Sequence, residues 1–420
     1  MRALPNFFLL FPSKVFFLAL LPPILFNSGY QLQRELFYRH FGAIALFSIG
    51  GTVLSAFGAG GFLWFLSTKG WLGDAFNPTP LELLTFGALI AATDTVSVVG
   101  VLQRKRVDPH LFSLVFGESA LNDAVALVLF KTLADFLRQN AMQNYDNDNN
   151  IDLYKNVGKY LLDLLVQCVV SPILGLVFAS LMGLAFKHGR MRDHKVLELS
   201  LYIMPVYIPF MLSELLELSG MITIFFTGIF ARRYMEPNVS EETREYARII
   251  FRLLAFLAEV CIFLELGLSV CGMHKGHFSW PFVSWAFVAA LLGRAIGVYP
   301  LKIPERKRDK IIPVKFMHLL WFAGLRGAVA YACAREFPDV YGHRDEFIAA
   351  TMVIVVITIV LMGGATEPLM DRLGIRMNVD NDEYMRAWHQ QRKLKGKLLH
   401  FGTYVYIYIY INIYLLLCLG

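Results

Sequence analysis

The amino-acid sequence predicts an all-α, polytopic membrane protein, and three observations support this class. Hydrophobic residues make up 56% of the 420 residues and charged residues 17%, with a mean hydropathy of +0.52. Soluble domains carry about 25% charged residues. Apolar stretches of about 20 residues, enough to span a bilayer as a helix, recur along the chain. Loops rich in lysine and arginine alternate with loops that contain few cations.

The apolar segments define eleven predicted membrane spans. They are Val15–Gly29, Gly42–Leu66, Leu84–Leu102, Leu111–Phe130, Tyr160–Phe186, Leu197–Leu216, Met221–Phe230, Ile249–Val270, Phe282–Pro300, Phe316–Ala334 and Phe347–Gly364. The basic loops between them include residues 104–106, 187–195, 232–248 and 302–310. Because such loops stay in the cytosol, we expect residues after 370 to be cytosolic. The net charge of +6 thus reflects topology and does not indicate a nucleic-acid partner.

The fourth span carries two carboxylates in the sequence FGESALNDAVALVL. Glu118 and Asp123 flank Ser119 and Asn122, and helical spacing directs the two acids to different faces. A charge at mid-membrane depth costs at least ~2.5 kcal/mol, so such residues are retained when they are paired or functional. An alternative is a polar patch that only packs helices together. Two acids within six residues favour a functional site over that alternative.

Two other spans contain signals that interrupt a helix. In AATDTVS, Asp94 follows Thr93 and precedes further hydroxyl residues, whose side chains compete for backbone hydrogen bonds. In WFAGLRGAVAYA, Gly324 and Gly327 flank Arg326. We therefore predict unwound stretches at both places, although a continuous helix with hydroxyls bonded to the preceding turn is the alternative for the first.

Further charges lie in the predicted membrane spans: Glu259, Glu265, Arg294 and Arg326. Arginine stays protonated in proteins, so each arginine needs a fixed negative partner. We expect two of the acids to serve as such partners and the others to be available for a mobile cation.

Several motifs together resemble the eukaryotic sodium/proton exchangers, and in particular the branch found on Golgi and endosomal membranes. These motifs are LPPILFNSGY, AATDTVSVV, FGESALNDAVALVL, LSGMITIFFTGI, AEVCIFLELGLS, GRAIGVYPL and FAGLRGAVAYA, in this order, across roughly residues 15–370. The resemblance implies an inverted-repeat antiporter fold with two crossing broken helices. About 11 of the family's 13 membrane helices are expected, because the match begins at the third.

The resemblance also implies roles for individual residues. Asp123 would bind the transported Na⁺ or K⁺ and the proton, with Asp94 as a second metal ligand. Glu118 and Arg294 would form a structural ion pair. The remaining implied roles are ion binding for Thr93, Ser119 and Asn122, charge compensation for Arg326, and cavity lining for Glu259 and Asn27.

The chemistry of these residues is consistent with that reading. Sodium prefers hard oxygen ligands, which carboxylates, hydroxyls and backbone carbonyls supply. A carboxylate that is removed from water holds a proton more tightly, so that H⁺ and Na⁺ compete for one site. If only the loaded carrier changes its orientation, this competition becomes exchange.

The sequence departs from the family pattern at three positions. Asn27 replaces an acidic residue, Thr95 replaces the proline that usually follows Asp94, and Glu265 occupies a position that is normally apolar. If Glu265 lines the cavity, it could carry a second proton.

The predicted domain organisation has three parts. Residues 1–369 form the exchanger domain, which we expect to lack the family's first two helices, and residues 370–400 form a cytosolic segment. Residues 401–420 are hydrophobic and alternate tyrosine with isoleucine, as a translated TA repeat would. We interpret them as the product of a truncated or mis-spliced gene model, with an additional membrane span as the alternative.

The leading functional hypothesis is electroneutral exchange of Na⁺ or K⁺ for H⁺, which regulates lumenal or cytosolic pH without a cofactor and without enzymatic activity. One rival is an intramembrane aspartyl protease, in which Asp94 and Asp123 share a proton. The other is an inactive truncated fragment. The expected partners are membrane lipid and a second copy of the chain, in a Golgi or endosomal membrane; the residues identify no cytosolic regulator.

Overall fold

The computed structural model describes residues 16–32, 34–73, 76–145, 152–189, 193–272, 279–301 and 313–380, together with Tyr384, Arg386 and Gln390. These residues are predominantly helical and include no β-strand, so the predicted all-α class is confirmed. The predicted basic loop at 302–310 and the hydrophobic tail at 401–420 lie outside the described residues.

The first half of the chain forms seven helices within the described residues. They are α1 (Leu21–Gln31), α2 (Arg34–Ala45), α3 (Gly51–Thr68), α4 (Pro80–Ala91), α5 (Thr95–Arg104), α6 (Pro109–Tyr145) and α7 (Asp152–His188). A π-helical turn, Leu46–Gly50, joins α2 to α3 without a break.

The second half continues with α8 to α16. They are α8 (Lys195–Ile203), α9 (Ile208–Leu215), α10 (Gly220–Phe230), α11 (Glu241–Gly272), α12 (Trp280–Val298), α13 (Val314–Phe322), α14 (Ala328–Arg335), α15 (Arg344–Ile357) and α16 (Gly364–Arg372). Another π-helical turn, Thr358–Gly363, joins α15 to α16.

Every predicted span overlaps a helix or an interrupted helix pair, but several helices extend beyond the predicted spans. Helix α6 has 37 residues, whereas the predicted span ended at Phe130. The second predicted span began at Gly42, yet helix already starts at Arg34. Hydropathy marks only the part of a helix that crosses the hydrocarbon, whereas a helix also extends into the polar interface. In the described part of the chain, six helical runs are long and apolar enough to cross a membrane.

Local sequence explains where the interrupted helix α4–α5 begins and how closely it packs. Thr79 accepts a hydrogen bond from the Glu82 backbone N–H (3.3 Å), and Glu82 Oε2 accepts one from the Thr79 backbone N–H (2.8 Å). This reciprocal capping box satisfies two otherwise unpaired donors at the start of α4. Halfway along α4, a Cβ at Gly87 would lie 2.4 Å from the Ala56 carbonyl oxygen, so glycine allows α3 to approach.

The helices pack as two groups. A first bundle contains α2–α6 and α12–α16, and a second bundle contains α1 and α7–α11. The two bundles meet along α6, which contacts α1, α7 and α10, and along α11, which contacts α14 and α15. One end of the molecule carries Arg106, Arg232, Arg248 and Arg252, and we call it the basic end. It is the end that the charge pattern predicts to be cytosolic.

Candidate cation-binding site

The helix break predicted at Asp94 is confirmed: α4 ends at Ala91, and residues 92–94 are unwound before α5 starts. Ala92 is extended, with ψ at 135°. The break forms although Thr95 stands in place of proline. Polar groups outside the α4–α5 pair bind the freed backbone, which is how irregular segments are tolerated at membrane depth.

The candidate cation carboxylate holds this unwound segment. Asp123 Oδ1 on α6 accepts a hydrogen bond from the Thr93 backbone N–H at 3.1 Å. One turn away, Ser119 Oγ and Thr93 Oγ1 are 3.1 Å apart. All three residues are buried, and so is Asp94 at 5% exposure. A carboxylate and two hydroxyls therefore lie together at a helix break, which is an oxygen-rich ligand set for a hard monovalent cation.

The second break, residues 323–327 between α13 and α14, meets the first break. The Asp94 backbone N–H donates to the Leu325 carbonyl oxygen at 2.6 Å. A Cβ at Gly327 would lie 2.6 Å from the Asp94 Cβ, so only glycine permits this approach. Asp94 thus lies beside the N-termini of both α5 and α14, where the helix dipoles favour a negative charge.

Arg326 balances the opposite helix terminus. Its Nη1 donates to the Ala92 carbonyl oxygen at 2.9 Å, and its Nη2 donates to the Ala290 carbonyl oxygen at 3.2 Å. The first of these oxygens lies at the C-terminus of α4, the negative end of that dipole. The Arg326 backbone N–H donates to Thr358 Oγ1 at 3.1 Å, which joins the second break to the π-helical turn after α15.

Glu118 and Arg294 lie together, with side chains that are 2% and 5% exposed. Arg294 Nη1 donates to Glu118 Oε1 at 2.7 Å, and Nη2 donates to Oε2 at 2.9 Å. Nη2 also donates to the Leu320 carbonyl oxygen at 3.1 Å. This bidentate geometry suits a planar guanidinium and a carboxylate, and it links α6 to α12 and to the end of α13.

Asn122 connects the site to α3, a helix that the sequence predicted but did not place at the site. Its Nδ2 donates to Thr93 Oγ1 at 3.0 Å and to the Ala91 carbonyl oxygen at 3.3 Å. Its Oδ1 accepts from the Thr52 hydroxyl on α3. Sequence reasoning missed Thr52 and Thr358, because a single threonine in an apolar span has no signal beyond its hydroxyl.

Asn27 and Glu259 do not join this cluster; they line a cavity of about 820 Å³ at the basic end. The cavity lies between the two bundles, and Val99 and Phe116 form part of its wall on the first bundle. Asn27 Oδ1 accepts a hydrogen bond from Gln31 Nε2 at 2.9 Å.

Glu265 is not among the residues that line this cavity. Its Oε1 lies 3.3 Å from Arg335 Nη1, which also donates to the Tyr331 hydroxyl at 3.2 Å. Ser269 Oγ lies 2.6 Å from the same hydroxyl. The expectation that Glu265 could carry a second proton in the cavity is therefore not supported. The unusual acid instead pairs with a cation of α14.

The described residues contain six helical runs long and apolar enough to cross a membrane, and two helix breaks meet beside buried carboxylates among them. The protein therefore belongs to the class of multi-pass membrane proteins that the sequence predicted. A model of the family described as "Sodium/hydrogen exchanger, transmembrane" matches residues 5–372. The chain therefore belongs to the sodium/hydrogen exchanger family, and the resemblance drawn from its motifs is confirmed. The match extends ten residues further toward the N-terminus than the motifs predicted.

Individual relatives agree with this assignment. Sodium/hydrogen exchanger 8 of Homo sapiens is 36% identical over 369 residues, which is 87% of this chain and 61% of that protein. Sodium/hydrogen exchanger 9 of Mus musculus is 32% identical over 398 residues, which is 92% of this chain and 60% of that protein. The chain thus spans about three-fifths of the length of these relatives.

The fold is similar to that of a solved antiporter. The structure of the sodium proton antiporter MjNhaP1 from Methanocaldococcus jannaschii at pH 8 superimposes with a TM-score of 0.65 and 19% identity. The superposition covers 87% of this chain and 89% of that one. At this identity the similarity establishes the fold alone.

Proposed function

We propose that this protein exchanges Na⁺ or K⁺ for H⁺ across a membrane. The observation that carries the proposal is the position of Asp123 at the unwound segment of α4–α5, beside the hydroxyls of Thr93 and Ser119. A half-helix break at mid-membrane depth with a carboxylate beside it is the type of site at which transporters bind coupling ions. Cation and proton would compete for the Asp123 carboxylate, with Asp94 as the second acidic ligand.

The charge balance supports one-for-one, electroneutral exchange. Glu118 forms an ion pair with Arg294, and Glu265 forms an ion pair with Arg335. Asn27 and Asn122 contribute neutral side chains. If Asp123 carries either one cation or one proton, and Asp94 and Glu259 keep the same charge throughout the cycle, both half-cycles move the same net charge.

Alternating access is supported by two cavities that lie between the bundles at opposite ends of α6. The larger cavity, at the basic end, is open to Asn27 and Glu259. A smaller cavity of about 350 Å³ is lined by residues 127–135 of α6, toward the opposite end of that helix. At that end the bundles are tied by the Glu265–Arg335 pair and by Lys131 Nζ, which lies 3.7 Å from Glu214 Oε1. These features fit a conformation that opens toward the cytosol.

The remaining assignments follow from the family. We propose a Golgi or endosomal location, a homodimer, and a role in regulating lumenal or cytosolic pH. We also propose an exchanger domain of residues 1–369, for which the family match to residues 5–372 is the support, followed by a cytosolic segment of residues 370–400. K⁺ is retained beside Na⁺ as a substrate, because hydroxyl and carboxylate oxygens suit both ions.

Proteoliposomes that contain the purified chain and a trapped pH dye test the proposal. Adding Na⁺ outside should alkalinise the lumen of the wild-type vesicles. Asp123→Asn should abolish this flux and still yield folded protein, because the amide keeps the shape of the side chain but cannot exchange a proton for a cation. Asp371→Asn, at an exposed carboxylate of α16, is the matched control and should exchange at the wild-type rate.

The same vesicles distinguish the rival hypotheses. Sodium-driven flux near the wild-type rate in Asp123→Asn would reject the assignment of the site, and cleavage of a reporter peptide would favour a protease. Electroneutrality is tested by setting the membrane voltage with gradients of the permeant anion thiocyanate. A K⁺ gradient is not used to set the voltage, because K⁺ is itself a candidate substrate. A net moving charge couples to voltage at ~2.3 kcal/mol per 100 mV, so a flux that changes severalfold across 100 mV would reject one-for-one exchange.

A further inference from the structure

Two hydroxyl residues of the continuous helix α2–α3, Ser48 and Thr52, contact α6 next to the candidate site, and both are buried. Ser48 and Thr52 are 0% and 1% exposed. The Ser48 hydroxyl shares its hydrogen between the Ile44 carbonyl oxygen at 2.6 Å and the Glu118 carbonyl oxygen at 3.2 Å, and the Thr52 hydroxyl donates to Asn122 Oδ1. These two contacts reach α6 at the segment between the structural ion pair and the cation carboxylate, and neither of the two involves Asp123 itself.

The backbone is arranged to bring these hydroxyls close. The π-helical turn Leu46–Gly50 contains Ser48 and ends just before Thr52, and single π turns inside α-helices occur frequently at functional sites. On α6, a Cβ at Gly117 would lie 2.8 Å from Ile44 Cδ1, so glycine lets the continuous helix α2–α3 approach α6. Ile44, Ser48 and Thr52 are spaced four apart and form one stripe along this contact.

Hydrogen-bond accounting determines the orientation of the Asn122 amide. The Ala91 carbonyl oxygen can only accept, so the Nδ2 side of the amide must face the unwound segment. Oδ1 then faces α3, where the Thr52 hydroxyl donates to it, sharing its hydrogen with the Ser48 carbonyl oxygen. Without the Thr52 hydroxyl, Asn122 Oδ1 would be a buried acceptor that has lost this donor, which is destabilising.

We propose that Thr52 is a positioning residue that, through Asn122, holds the unwound Thr93 segment in the geometry that binds the transported cation. The relay runs from the Thr52 hydroxyl to Asn122 Oδ1, and from Asn122 Nδ2 to Thr93 Oγ1 and the Ala91 carbonyl oxygen. Thr93 Oγ1 accepts from Asn122 Nδ2 and lies 3.1 Å from Ser119 Oγ, so the relay fixes the position of this hydroxyl oxygen within the candidate ligand set. The inference rests on the proposed function for its consequence in transport.

Three variants test the relay. Thr52→Val keeps the shape of the side chain and removes the hydroxyl, while Thr52→Ser keeps the hydroxyl. Thr351→Val is the matched control, because Thr351 is equally buried on α15 and its hydroxyl donates only to the Phe347 carbonyl oxygen of its own helix among the described contacts. Each purified variant is reconstituted for sodium-driven proton flux and is also followed by hydrogen–deuterium exchange of the peptide that contains residues 91–95.

We expect Thr52→Val to raise the half-saturating Na⁺ concentration about tenfold, which corresponds to the loss of one hydrogen bond to a buried acceptor, with a much smaller change in maximal rate. Amide exchange at Thr93 and Asp94 should accelerate to a similar degree, because local opening becomes easier. Thr52→Ser should restore both values, and Thr351→Val should change neither.

The two readouts separate the inference from the proposed function. An unchanged half-saturating Na⁺ concentration in active Thr52→Val vesicles would overturn the inference, and so would unchanged amide exchange at residues 93 and 94. If the wild type shows no sodium-driven flux, the proposed function fails, and the amide exchange still decides whether Thr52 positions the segment.

Discussion

Replacing Glu118 by glutamine should destabilise the protein strongly, because it leaves the Arg294 charge buried without its counter-charge. The two side chains are at most 5% exposed, and both carboxylate oxygens accept from the guanidinium. The other described hydrogen bond of the guanidinium goes to the Leu320 carbonyl oxygen, while its buried Nε has no partner among the described residues. Glutamine can keep one hydrogen bond but cannot neutralise the arginine.

The magnitude follows from the cost of an uncompensated buried charge. Breaking a buried pair by removing one partner costs ~3–5 kcal/mol, a large fraction of the ~5–15 kcal/mol that stabilises a typical protein. Arg294→Met should cause a similar loss by leaving the Glu118 carboxylate alone. The double variant Glu118→Gln/Arg294→Met contains neither charge, so we expect it to recover at least half of the larger single loss.

The assay is the free energy of unfolding of the purified chain in mixed micelles, measured for the wild type, both single variants and the double variant. The losses should persist when choline chloride raises the ionic strength, because a buried pair is screened little. Asp135→Asn is the control, since its pair with Arg138 (2.9 Å) is more than 50% exposed, and it should cost at most ~1 kcal/mol. A double variant no more stable than either single variant would refute the reasoning.

Two further predictions concern the helix breaks and Glu265. Gly327→Ala should reduce exchange at least about tenfold, because its Cβ would lie 2.6 Å from the Asp94 Cβ and must push the two breaks apart. The control is Gly267→Ala, whose Cβ would meet no atom within 4 Å and which should exchange normally. Equal exchange rates in the two variants would contradict the prediction. Glu265→Gln should leave one Na⁺ exchanged per proton, because Glu265 is paired with Arg335 away from the cavity. The ratio of radioactive sodium uptake to proton flux measures this, and a changed ratio would return Glu265 to the transport path.

The sequence predicted well the features that depend on single segments. Apolar length predicted where helices lie, and the hydroxyls and glycines around Asp94 and Arg326 predicted both breaks. These properties are local: each residue's transfer cost into lipid and each backbone preference is set within a few residues. The helix ends were predicted less well, because the hydrophobic length does not report how far a helix continues into the polar interface.

Only the tertiary structure decided which of these groups meet. Arg335 reaches Glu265 across the two bundles, and Thr52 reaches Asn122 across 70 positions of sequence. Such contacts depend on the depth and rotation of helices that are far apart in the chain, and periodicity within one helix carries no information about its neighbour's rotation. The sequence by itself therefore determined the class, the spans and the charges that must be neutralised, whereas helix packing determined the partner of each charge and the hydroxyls around the candidate site.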